Sequence, residues 1–213
     1  EGIESAAQKA LGNVVRGLAD AARHLPPLGR LALCVVGAGQ LSYGVMVVAT
    51  VLLFRNHFGQ ANVEAGLAGL GIVVGAAALG YAMAALITPS MAKRFGIPAY
   101  VTALSVLAAV VVVFPAALFT RWAIAVSAGG LALTTQGVKI CVDTTIQRVV
   151  GDLYRGRVFA LYDVLFNAVF IAATVIGAIV LPTDGRSYVV LATASLWYLF
   201  IAYTVSRRWQ PTL

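Results

Sequence analysis

Apolar residues run along this chain in six long blocks with short polar breaks between them, at approximately residues 29 to 54, 63 to 89, 98 to 118, 122 to 147, 158 to 181 and 187 to 206. About 20 mainly apolar residues carry an α-helix across roughly 30 Å of hydrocarbon, so each block predicts one membrane-spanning helix. The breaks hold turn and charge signals: Arg55-Asn56-His57, Lys93-Arg94-Phe95-Gly96, Thr120-Arg121, a charged turn through Gly151 to Gly156, and Pro182-Thr183-Asp184-Gly185. Links this short make consecutive helices antiparallel. The predicted fold class is an all-α membrane protein with six transmembrane helices over residues 28–213, preceded by a cytoplasmic linker over residues 1–27. In that linker Ile3, Ala7, Leu11, Val14, Val15, Leu18, Ala22 and Leu25 recur at helical spacing among Lys9, Arg16, Asp20 and Arg23. This predicts an amphipathic helix, lying either along the protein surface or in the anionic cytoplasmic interface.

Composition strengthens the membrane reading. The 213 residues are 61% hydrophobic and 11% charged, against roughly 45–50% apolar and about 25% charged in a soluble domain. The net charge of +7 raises nucleic acid as a partner, yet no dense basic run interleaved with aromatics is present, and none is expected. The cations sort by side instead. Six crossings put both tails together with Lys9, Arg16, Arg23, Arg30, Lys93, Arg94, Arg148, Arg155, Arg157, Arg207 and Arg208, leaving Arg55, Arg121 and Arg186 opposite. Cytoplasmic loops carry the excess of Lys and Arg, so both termini are expected in the cytoplasm, with the chain multi-pass in the plasma (inner) membrane.

Cys34 and Cys141 lie inside apolar blocks and His24 and His57 are far apart, so neither a disulfide framework nor a zinc spacing is visible, and no cofactor is expected. The chain opens on Glu1 without a charged n-region, apolar core and cleavage site, and is read as a piece of a longer protein. The second block is rich in small residues, Gly66, Gly69, Gly71, Gly75 and Gly80, with Gly71 and Gly75 in G-x-x-x-G register. Such residues let helix backbones approach closely, which predicts tight packing against another helix or a surface for sliding.

An ionisable side chain near the centre of a membrane helix costs about 2.5–3.5 kcal/mol on insertion scales, so each one needs a partner, a wet cavity or a task. Gln136, Lys139, Asp143 and Gln147 follow i, i+3, i+7, i+11 and form one polar stripe on the fourth helix. Asp163 and Asn167 answer from the fifth at similar depth, predicting a Lys139 contact with one of them. That set is either a buried ion-pair network fixing helix register, or a site for substrate or a coupling ion. In the first helix Gln40 and Tyr43 lie near the middle, flanked by Gly37, Gly39 and Gly44, a hydrogen-bonding lining beside a deformable backbone.

The run Gln147 to Val158 contains Gln147, Val150, Asp152, Arg155, Gly156, Arg157 and Val158. It resembles the Q-x-x-V-x-D-x-x-R-G-R-V signature between the fourth and fifth helices of the second half of major facilitator superfamily transporters. Between the second and third helices, "PSMAKRFG" resembles the family's G-x-x-x-D-R-x-G loop, with Arg94 and Gly96 in register, Lys93 at the acidic position and Pro89 at the glycine position. The resemblance covers about residues 29 to 206 and implies a carboxy-terminal six-helix half whose amino-terminal six-helix partner lies upstream. It also implies alternating access around a midplane site and a cytoplasmic gate made by Asp152, Arg155 and Arg157 with Lys93 and Arg94.

The resemblance implies secondary transport of a small molecule, by a proton- or ion-coupled transporter, antiporters included, or a facilitator, and the style of the loop between the fourth and fifth helices, which resembles that of bacterial drug and siderophore efflux members, favours an exporter. Gln40, Tyr43, Gln136, Lys139 and Asn167 are candidate cavity residues, and Asp143 and Asp163 candidates for proton coupling or an ion pair. The alternative is a non-transporting six-helix scaffold that binds a partner. No H-E-x-x-H, G-x-S-x-G or P-loop motif points to an enzyme or an ATP-driven pump.

Overall fold

The computed structural model describes residues 25–59 and 63–209, without the side chains of 63, 115–117 and 153. Its elements are α1 Pro27–Asn56, α2 Val63–Phe95, α3 Ile97–Leu118, α4 Arg121–Val149, α5 Asp152–Val180 and α6 Tyr188–Arg208, with no strand among the described residues. All six helices include a stretch long and apolar enough to cross a membrane. The amphipathic helix expected in the linker lies outside the described residues.

Two boundaries differ from the sequence reading. α2 runs through Pro89 to Phe95, so Lys93 and Arg94 sit on its last helical turn and not in a loop. Proline is tolerated inside a membrane helix because neighbours and local adjustments satisfy the carbonyl it leaves without a donor. α2 ends at Gly96, whose φ of +82° lies in the left-handed region where only glycine is unstrained, and Pro98 opens α3. At the other boundary α5 begins at Asp152, so most of the charged stretch is its first two turns and the turn itself shrinks to Val150 and Gly151. Asp152 in the first turn favours that start by facing the positive end of the helix dipole.

Packing follows a repeat. The most extensive pairings are α2 with α4, α1 with α5 and α3 with α6, followed by α3 with α4 and by α1 with α4 and α6. Exchanging α1–α3 with α4–α6 maps these principal pairings onto themselves, so the bundle is built as two related three-helix units. Close approach at the two equivalent crossings depends on glycine. A Cβ on Gly80 of α2 would overlap the Gly129 carbonyl of α4, and one on Gly44 of α1 would lie 2.6 Å from the Ala173 Cβ of α5. The pair in G-x-x-x-G register behaves differently: Gly71 and Gly75 are exposed, and a Cβ on either meets nothing within 4 Å. α2 packs inside this bundle through Gly66, Gly69 and Gly80, leaving the other two on an open face.

One main core joins α1, α3, α4, α5 and α6, with Val101, Val142, Ile146, Val158, Tyr162 and Val205 all at 1% exposure or less. The ends are tied by polar contacts. At one end Asn56 Nδ2 donates to the Thr183 carbonyl at 2.6 Å and Arg121 Nη2 to the Phe58 carbonyl at 3.3 Å, while Thr120 and Ser187 cap α4 and α6. Among the described residues this end holds Arg55, Arg121 and Arg186, whereas the opposite end holds Arg30, Lys93, Arg94, Arg148, Arg155, Arg157, Arg207 and Arg208.

Candidate functional site

α4 is one unbroken helix, so its i, i+3, i+7, i+11 spacing holds in space: Gln136, Lys139 and Asp143 are half-buried along one face and Gln147 is exposed at its end. Lys139 Nζ donates to Asp143 Oδ2 at 3.1 Å, with the two side chains 28% and 27% exposed. The same ammonium lies 5.0 Å from the ring centroid of Tyr162 and 5.7 Å from that of Phe166, both on α5. A cation over aromatic faces gains about 0.5–2 kcal/mol, more as water is excluded. Lysine, carboxylate and rings therefore form one unit between two helices that do not pack closely against each other.

The expected contact of Lys139 with Asp163 or Asn167 is not formed. Asp163 and Asn167 are exposed, and Asn167 Nδ2 donates back to the Asp163 carbonyl at 2.8 Å. α5 turns its aromatic side toward α4 and carries these two polar residues on another face, so the carboxylate one turn along α4 is the nearer partner. Two atoms of the unit are under-bonded: Asp143 Oδ1 and the Tyr162 hydroxyl are buried, and the hydroxyl faces the Asp143 carboxylate without reaching good hydrogen-bond geometry. Buried polar atoms are nearly always paired, so such atoms mark a place where a proton, water or ligand group belongs.

Gln40 and Tyr43 continue the polar lining on α1. Gln40 is 4% exposed and its Oε1 makes no hydrogen bond of good geometry, while Ser42 faces the Tyr198 hydroxyl. The Tyr81 hydroxyl of α2 donates to the Tyr43 hydroxyl at 3.4 Å, and the Tyr43 ring lies 6.2 Å from that of Phe170 on α5. α6 holds the glycine-flanked part of α1 in place: Trp197 Nε1 donates to the Ala38 carbonyl at 2.8 Å and the Tyr198 hydroxyl to that of Gly39 at 3.3 Å. Tyr81, Tyr162, Phe166 and Phe170 escaped the sequence reading, although Tyr162, Phe166 and Phe170 repeat every four residues on one face of α5.

The charged cluster at the start of α5 is separate from this unit. Arg155 Nη2 bonds Asp152 Oδ1 at 2.7 Å and donates to the Gln147 carbonyl at 3.2 Å, closing the α4–α5 turn, with Arg157 exposed on the next turn. Neither Lys93 nor Arg94 bonds to that turn; Arg94 lies over the ring of Phe95 at 5.4 Å. Among the described residues no three His, Cys, Asp or Glu side chains converge to hold a metal.

Six apolar helices in two related triplets, with an ion pair and aromatic rings along the middle of the bundle, define a polytopic membrane protein. No protein-family model and no solved structure matches the chain. Two curated proteins do: an uncharacterized MFS-type transporter of Mycobacterium bovis and one of Mycobacterium tuberculosis are each 32% identical to it over 206 residues, which is 94% of this chain and 46% of theirs. The chain belongs to the major facilitator superfamily and fits a six-helix half of its fold, spanning about half the length of the curated relatives it matches.

Proposed function

We propose that this chain is the carboxy-terminal half of a proton-coupled antiporter that exports a small molecule across the plasma membrane by alternating access. Its cation-rich end faces the cytoplasm, as the positive-inside bias requires. The amino-terminal half covers the face that this bundle leaves open, where Gly71 and Gly75 of α2 allow close approach of a further helix.

The observation that carries the reading is the buried Asp143 Oδ1. Its sister oxygen is held by Lys139, and the Tyr162 hydroxyl faces the carboxylate without a well-formed bond to Oδ1. That under-bonded acceptor admits either a proton or a hydrogen-bond donor of the substrate, not both. A substrate donor on Oδ1 is displaced when a proton arrives there, and loss of the proton readmits substrate; that competition couples the two fluxes in opposite directions. Lys139 serves as the internal counter-ion, and Gln40, Tyr43 and Gln136 line the route. Asp152 and Arg155, with Arg157, form a contact at the cytoplasmic mouth that is made and broken through water as the halves rock.

The test uses the full-length transporter in everted vesicles, with a respiratory pH gradient read by an acridine dye and a panel of organic amines, alcohols and anions added in turn. A solute that dissipates the gradient with the wild type should fail to do so with Asp143→Asn, while counterflow of that solute persists. Gradient dissipation unchanged in Asp143→Asn contradicts the coupling role. Loss of counterflow as well assigns Asp143 to structure, and no response to any solute in a folded wild type favours the scaffold alternative.

A further inference from the structure

A second site lies away from the ion pair, at the cation-rich end. A cavity of about 710 Å³ opens there between the last turns of α2 and α4 and the first turns of α1 and α3. Lys93 and Arg148 line it together with the hydroxyl-bearing Thr144 and Thr145, and among the described residues no carboxylate does. Neither cation has an ion-pair partner among the described residues, where the cation-rich end holds a single surface acid, Asp152, already bonded to Arg155.

Backbone electrostatics at the rim have the same sign. α1 starts beside the cavity at Pro26-Pro27 with no side-chain cap and no acidic residue in its first turn, and α3 starts at Ile97-Pro98 likewise without an acid. Helix N-termini lacking acidic neighbours leave partial positive charge from free N–H groups unanswered. The C-terminal carbonyls of α2 and α4 oppose this, but one helix end carries only about half a charge, whereas Lys93 and Arg148 each carry a full one. The remaining wall is apolar, with Ile140, Val149 and the buried indole of Trp209.

We infer that this cavity binds a phosphate group, held by Lys93 and Arg148, and that its source is the headgroup of an anionic phospholipid; the Thr144 and Thr145 hydroxyls, which donate to the Ile140 and Cys141 carbonyls, add polar wall and no further donor. The apolar wall is what a free phosphate would not need and an acyl chain or glycerol backbone would. Basic pockets between membrane helices on the cytoplasmic side are suited to such headgroups. This site is independent of the transport reading and uses none of its proposed cavity residues.

The experiment is native mass spectrometry of the full-length protein released from detergent. Phosphatidylglycerol, phosphatidylcholine and inorganic phosphate are titrated separately against the wild type, Lys93→Ala/Arg148→Ala, Arg148→Lys and Arg207→Ala/Arg208→Ala. One phosphatidylglycerol should be retained by the wild type, about tenfold more weakly by the cavity double variant, and nearly normally by Arg148→Lys. Equal retention by the cavity double variant and the wild type overturns the site. So does an equal loss in Arg207→Ala/Arg208→Ala, which removes the same charge from the same end outside the cavity. Phosphatidylcholine bound as tightly as phosphatidylglycerol overturns recognition of a net negative headgroup. Inorganic phosphate bound as tightly as phosphatidylglycerol keeps the phosphate chemistry and overturns the lipid as its source.

Discussion

Two ion pairs on consecutive helices, built from the same chemistry, stand in opposite surroundings. Arg155 and Asp152 are 2.7 Å apart with side chains 43% and 89% exposed; Lys139 and Asp143 are 3.1 Å apart at 28% and 27%. Distance alone ranks the first pair as stronger. Environment reverses the ranking, because water screens the exposed pair to about 0–1 kcal/mol, while removing one member of a half-buried pair leaves a charge whose cost rises toward the about 3–5 kcal/mol of a fully buried one. The exposed pair is cheap to break, which suits a gate. The inner pair resists separation, so its remaining freedom is the under-bonded oxygen of Asp143.

The largest effect should come from stranding one inner charge. Lys139→Met in the full-length protein is expected to lower stability by up to about 3–5 kcal/mol, read by unfolding in mixed micelles, and adding Asp143→Leu should recover most of it. Additive losses in the double variant would break the comparison by showing that the two do not act as a pair. Next in size is the aromatic cover: Phe166→Leu keeps apolar volume but removes a ring face from Lys139, at an expected cost of about 0.5–2 kcal/mol. No change there would mean the ammonium is stabilised by its carboxylate alone. The smallest effect belongs to the outer pair: Arg155→Ala should change stability by no more than about 1 kcal/mol. That small loss should shrink further in high salt, whereas the Lys139→Met penalty should not.

The fate of these residues shows what a sequence can and cannot display. The α4 stripe was legible because a polar residue every three or four positions in an apolar helix has one geometric meaning, and the unbroken helix from Arg121 to Val149 preserves it. The level of facing turns was legible as well, since Lys139 lies opposite Tyr162 and Phe166, the sequence neighbours of Asp163 and Asn167. The partner of Lys139 was not: depth says which turn of α5 lies opposite, whereas rotation of α5 about its axis decides whether Asp163 or Tyr162 faces across. The repeat of Tyr162, Phe166 and Phe170 marks one face of α5, but a membrane helix turns large aromatic side chains toward neighbours as readily as toward lipid, so the repeat alone does not fix that rotation. Gly71 and Gly75 teach the complementary lesson. Register identifies a face fit for close packing, and whether that face meets a helix of this bundle depends on topology that spacing does not contain. Helix ends were misplaced at Pro89 and Asp152 because the end of an apolar run marks where a span leaves hydrocarbon and not where its helix stops, and proline is accommodated inside membrane helices.

Alternating access as proposed requires that the Gln136, Lys139 and Asp143 face of α4 border a water-filled route through the membrane. Substituted-cysteine accessibility reads this: in the full-length protein with Cys34 and Cys141 replaced by alanine, each position from 132 to 146 is changed to cysteine in turn and exposed to a membrane-impermeant thiol reagent. Fast labelling is expected at 136, 139 and 143, with the buried positions 135, 142 and 146 unreactive. Labelling absent from all three polar positions, or equal around the whole helix, would contradict it.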